Sequence, residues 1–74
     1  MGYLRDKKFL IDFGKNLKRI RVEKNISQAE LAYSINVEIS QISRLERGQL
    51  NSGIYSVFLI AKYLKVSPKE LFDF

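Results

Sequence analysis

The side chains able to do chemistry in this chain are few in kind. It contains neither Cys nor His, so it has no thiolate nucleophile, no imidazole base and none of the common ligand sets for zinc or haem. Carboxylates such as Glu30, Glu38, Glu46 and Glu70 stand without a metal motif or a phosphate loop beside them. An enzyme is therefore the least expected outcome, and neither cofactor nor metal is expected. What the sequence does offer is a hydrogen-bonding array between residues 40 and 47. On a helix turning about 100° per residue, Ser40, Arg44 and Arg47 share one side with Ser43 beside them, while Ile42 and Leu45 point the other way. Serine hydroxyls donate and accept, and each arginine presents a planar fork of N–H donors. Such a face suits noncovalent recognition of an acceptor-rich or anionic partner. By themselves, two arginines on a helix are ordinary solvated charge, so the context has to decide.

Net charge points the same way. Thirteen Lys and Arg against eight Asp and Glu give +5 and a pI near 9.7, a balance that favours nucleic acid or an anionic membrane surface. The excess is concentrated: residues 1–24 hold eight basic and three acidic side chains, residues 25–48 two and three, and residues 49–74 three and two. Seventy-four residues, 46% of them hydrophobic, suffice for one domain, 1–74, whose core is too thin for a deep active-site cavity. The longest apolar runs, such as residues 57–61, fall far short of the roughly 18 needed to span a bilayer. The opening MGYLRDKK has no apolar segment leading to a cleavage site. A cytoplasmic protein with no membrane partner is expected.

The elements that must hold the polar face in place are helical throughout. Phe9, Leu10, Phe13, Leu17 and Ile20 step by three or four residues and predict a first helix over about residues 7–24, capped by Asp6, with residues 1–6 as a flexible arm. Gly14 inside it marks either close packing or a later start. Asn25 suits a left-handed corner. Ser27 to Glu30 reads as a capping box that opens a second helix with Ala29, Leu31, Ala32 and Ile35 as its apolar positions, closed by Asn36. A third helix runs from about residue 37 to Arg47 with Gly48 after it. A fourth carries Ile54, Val57, Phe58, Ala61 and Leu64, and Ser67-Pro68-Lys69-Glu70 opens a short fifth bearing Leu71 and Phe72. The expected fold is an all-α, compact five-helix bundle.

Two helices joined by a short turn with a positive-φ corner, the second with an arginine-bearing outer face, describe a helix-turn-helix over about residues 27–48. The run SQAELAYSINVEISQISRLERG, Ser27 to Gly48, resembles the helix-turn-helix of the lambda-repressor/Cro-like proteins, the Xre family. LKRIR at Leu17 to Arg21 and IAKYLKVSPKELF at Ile60 to Phe72 resemble that family's flanking helices. The resemblance implies double-stranded DNA as partner and roles for individual residues. Glu38, Ile39, Ser40 and Arg44 match positions that reach base edges in the major groove. Arg44 is the foremost, because its fork fits O6 and N7 of guanine, and Ile39 suits a thymine methyl. Gln28, Ser43, Arg47, Gln49 and Asn51 match phosphate-side positions, and Gln28 also braces recognition-helix side chains. Arg21 and Glu46 match a structural ion pair between the first and third helices. Glu38 departs from the family's usual small hydroxyl residue, which leaves it either reading a cytosine amino group or held aside.

Tyr55, Tyr63, Phe72 and Phe74 exceed what a thin core obviously absorbs. They are read as the contact with a second copy, because a homodimer sets two recognition helices one duplex turn, about 34 Å, apart. The leading expectation is thus a dimeric repressor or controller protein on a palindromic operator. Regulation would follow concentration, with no small-molecule ligand. A protein-interaction adaptor or antitoxin on the same fold is the alternative, and a basic amphipathic first helix lying on a membrane surface is a third reading.

Overall fold

A computed structural model describes the backbone of residues 2–74 and the side chains from residue 7 onward. Five helices and no strand occur among the described residues: α1 (Gly2–Glu23), α2 (Gln28–Ile35), α3 (Ile39–Glu46), α4 (Ile54–Leu64) and α5 (Pro68–Leu71). The first helix begins earlier than its apolar stripe suggests, so Asp6 lies inside it and is not its N-cap. The arm expected over residues 1–6 falls in this stretch: Met1 and the side chains of residues 2–6 lie outside the described residues, and the backbone is helical from Gly2.

Local signals set the remaining boundaries. Ser27 Oγ accepts from Glu30 N at 3.0 Å and the Glu30 carboxylate accepts from Ser27 N at 2.8 Å, the reciprocal box that starts α2. Asn25 and Asn36 take left-handed backbone at φ 57° and 61°. Lys65 does the same at the end of α4 with φ 60°, a corner its residue type does not advertise. Pro68 opens α5 where its missing N–H has no helical partner to lose, and Glu70 accepts from Ser67 N at 3.1 Å.

Every helix gives at least one fully buried aliphatic side chain to a single core: Leu17 from α1, Leu31 from α2, Ile42 from α3, Ile60 and Leu64 from α4, and Leu71 from α5. Each such burial contributes about 1.5–3 kcal/mol relative to exposure. Helix α3 packs against both α1 and α2, while α4 bridges α2 to α5. Four expected apolar positions lie outside: Phe9 and Ala29 are exposed, and Ile54 and Phe58 face outward because the buried side of α4 runs through Ile60, Ala61 and Leu64.

Two close approaches fix α1 in place. Gly14 is buried where α1 crosses the end of α3, and a Cβ there would stand 2.5 Å from the carbonyl oxygens of both Leu45 and Glu46. The glycine therefore marks close packing and not a late helix start. Two residues on, buried Asn16 donates its amide hydrogens to Glu70 O at 2.9 Å and Leu71 O at 3.0 Å, and accepts from Arg19 Nη2 at 2.7 Å. One side chain thus satisfies two carbonyls at the end of a four-residue helix that could not stand alone.

Candidate nucleic-acid interface

The outer face of α3 is assembled by what its inner face must do. Ile42, Leu45 and Glu46 are buried, and helical geometry then turns Ser40, Arg44 and Arg47 outward within about 60° of one another. All three are exposed, as are Glu38 and Ile39, and Ser43 is half-buried at the edge of this face. Ile39 is 51% exposed, so it is an apolar side chain presented to solvent and not a core residue. The Arg47 side chain folds back along the helix, its Nε donating to Ser43 O at 3.3 Å.

The turn leading into α3 keeps this face in register with α2. With Asn36 left-handed, Val37 N reaches back to Ala32 O at 2.9 Å and closes the end of α2. Glu38 then stands at the α3 N-cap in extended backbone, and Gln41 Oε1 accepts from its N–H at 3.1 Å. Gln41 is a positioning residue that the polar-face spacing does not single out. It is exposed next to Ser40, and the Glu-x-x-Gln spacing, a variant of the capping box, is its signal in the sequence. At the other end, Gly48 at φ 73° lets Gln49 N bond Arg44 O at 2.8 Å, and the chain leaves with Gln49 and Asn51 exposed.

Beneath this face lies a buried charge cluster. Arg21 Nε and Nη2 donate to the two carboxylate oxygens of Glu46 at 2.6 and 3.0 Å, and Arg21 Nη1 donates to Ile26 O at 2.7 Å. Arg21 is 7% and Glu46 6% exposed. A bidentate fork with a third bond to a carbonyl is the geometry in which a buried pair can offset its desolvation. Gln28 joins the cluster, its Nε2 donating to Glu46 Oε1 at 2.9 Å. One N–H of that amide is thereby committed, and the other, with the amide oxygen, is available to a partner outside. A single carboxylate on α3 therefore ties together α1 and the first residue of α2.

The four aromatic residues read as a second-copy contact do not form one cluster. Phe72 and Phe74 pack on α1: Phe72 lies 6.2 Å from Phe9 and 5.3 Å from Phe13 between ring centroids, and Phe74 lies 5.4 Å from Phe9. Tyr55 stacks on Phe58 at 6.3 Å. Between these two groups runs an open apolar groove of about 520 Å³, lined by Phe9, Phe13, Val57, Phe58 and Phe72 among others. Tyr63 stands apart, over a separate depression with Ile26 and Lys65. No described helix is long and apolar enough to cross a membrane, and the described residues include no cluster of metal-ligating side chains.

Comparison with known proteins places these features in a group. The helix-turn-helix family pattern (HTH_3) matches residues 17–71. The chain is 40% identical over 63 residues to control protein C.BamHI of Bacillus amyloliquefaciens, covering 84% of this chain and 78% of that protein. Among solved structures, it resembles the restriction-modification controller protein C.AhdI of Aeromonas hydrophila with a TM-score of 0.83 and 35% identity, over 85% of this chain and 96% of that one. Wild-type C.Esp1396I, another restriction-modification controller protein, matches with a TM-score of 0.78 and 38% identity, over 88% and 86% of the two chains.

Proposed function

Since the chain belongs to the helix-turn-helix family, we propose that it is a sequence-specific DNA-binding transcriptional regulator of the controller type, acting as a homodimer on a roughly palindromic operator. The observation that carries this reading is the division of labour on α3: Ile42, Leu45 and Glu46 hold the helix down, and Ser40, Arg44 and Arg47 face out. In the bound state α3 lies in the major groove. Arg44 reads a guanine through its fork, Ser40 and Ile39 contact neighbouring bases, and Glu38 meets a cytosine amino group or turns aside. Gln28, Ser43, Arg47, Gln49 and Asn51 hold the phosphates and set the register. Glu46 keeps Gln28 in position from beneath.

The test is selection of sites from a random duplex pool, followed by binding measurements in defined salt. Arg44→Ala is expected to lose about 1–3 kcal/mol of discrimination at one base pair per half-site. Arg47→Ala is expected to weaken binding to all sequences alike and to lower the salt slope by about 1. Parental preference and affinity in both variants would overturn the assignment of this face. Binding by the parent chain that ignores sequence would instead favour the protein-interaction reading.

The dimer rests on the groove between α1, α4 and α5. Ile54, Tyr55, Phe58, Phe72 and Phe74 leave apolar surface exposed on this side, and a contiguous patch of that kind is normally covered by a partner. Tyr55, Phe72 and Phe74 therefore belong to the contact together with Phe58, whereas Tyr63 lies over a separate depression and is left out of it. Phe58→Glu is expected to shift the chain to monomer in sedimentation equilibrium at micromolar concentration while the circular dichroism stays helical. An unchanged dimer would move the contact elsewhere.

A further inference from the structure

We propose that Lys7, on α1 and outside the helix-turn-helix, completes a phosphate-binding cleft with Arg47, Gln49 and Asn51, and that this cleft grips the duplex backbone beyond the bases read by α3. The proposal rests on the DNA-binding reading above and extends the contact surface to a helix that reading does not use. An open cleft of about 450 Å³ lies between the start of α1 and the segment after α3, and these four residues line it. Lys7 and Arg47 give it two positive charges, and the Gln49 and Asn51 amides give it neutral donors. No carboxylate lines it among the described residues. Its floor is the apolar surface of Leu10 and Ile11.

The cleft exists because of a local backbone feature. Gly48 sits at φ 73°, and a Cβ on it would come within 2.6–2.8 Å of Ile11, so the turn after α3 presses directly on α1. Lys7 lies one helical turn before Ile11 and on the same side of α1, which carries it over that turn. Its neighbour Lys8 is differently engaged, with Nζ 2.7 Å from Asp12 Oδ2. The two adjacent lysines of one helix thus differ: one lines a cleft with donors from the phosphate-side turn, and the other pairs along its own helix.

The occupant is a backbone phosphate, because the site combines monovalent cations with amide donors over an apolar floor and has no feature that distinguishes one base from another. The experiment is a potassium chloride titration of binding to the selected operator and to an unrelated duplex. Lys7→Gln is expected to reduce the slope of log K against log salt by about 0.9 and to weaken binding about 3–10-fold near 0.15 M salt, on both duplexes equally. Lys7→Arg restores both. Lys8→Gln shifts the slope by less than half as much. A methylphosphonate substituted singly along the flank of the operator locates the phosphate: one position weakens the parent but not Lys7→Gln. The proposal falls if Lys7→Gln keeps the parental slope, or if Lys8→Gln changes the slope equally, which would assign the effect to net charge. If sequence preference persists through either of those results, only the cleft has failed. If the parent chain shows no preference among duplexes, the regulator reading fails and the cleft with it.

Discussion

Glu46→Ala is expected to destabilise the fold by about 3–5 kcal/mol, read as a lower midpoint in urea unfolding. The loss is large because the substitution strands a guanidinium. Arg21 is held by two bonds to Glu46 and one to Ile26 O in a site that admits almost no water. A chain of 74 residues has a total stability of only about 4–11 kcal/mol, so the variant stands near the edge of folding. Arg21→Met combined with Glu46→Leu is expected to recover most of the loss, since replacing both partners with apolar groups removes the uncompensated charge. A single substitution that moved the midpoint by less than the equivalent of about 1 kcal/mol would show that water reaches the cluster. The same substitution releases Gln28 Nε2, so the surviving folded fraction is expected to bind DNA more weakly with base preference retained.

Gly14→Ala should be nearly as damaging, by about 2–3 kcal/mol, although alanine is the better helix former by about 1 kcal/mol. The added methyl meets the carbonyl oxygens of Leu45 and Glu46 at 2.5 Å. Those atoms belong to the last turn of α3 and cannot swing aside as the tip of a long side chain would. Helix α1 must back away from α3, which loosens the Arg21–Glu46 fork at the same time. Thermal unfolding checks this, and a raised melting temperature would mean that helix propensity outweighs the contact. By contrast, nothing lies within 4 Å of a Cβ built on Gly53, so Gly53→Ala serves as the mild control.

Much of this arrangement is legible in the residues because the signals are local. The Ser27–Glu30 box, the asparagine corners at 25 and 36 and Pro68 each act within a few residues of themselves, and each fixes a boundary. The outward direction of Ser40 and Arg44 follows from the same spacing that buries Ile42 and Leu45. What the sequence does not reveal depends on partners far along the chain. Asn16 reads as an ordinary polar helix residue, yet it binds carbonyls 54 and 55 positions away. The bond from Gln28 to Glu46 spans 18 residues. Phe9 and Phe58 carry apolar periodicity that continues past the edge of the core, and periodicity alone does not tell a buried stripe from one left bare for a partner. The left-handed corner at Lys65 has no signal in its residue type.

The side chains of α3 are partitioned between two tasks with little overlap. The buried side chains of the helix are Ile42, Leu45 and Glu46, and Gln41 makes the N-terminal bond, whereas Ile39, Ser40 and Arg44 lend the scaffold no side-chain hydrogen bond among those described. Substitution at Ser40 or Arg44 therefore removes no described side-chain hydrogen bond that holds the fold. If these residues read the operator as proposed, a lineage could exchange its target sequence through them in single steps, and an engineer could transplant a foreign specificity onto the same chassis.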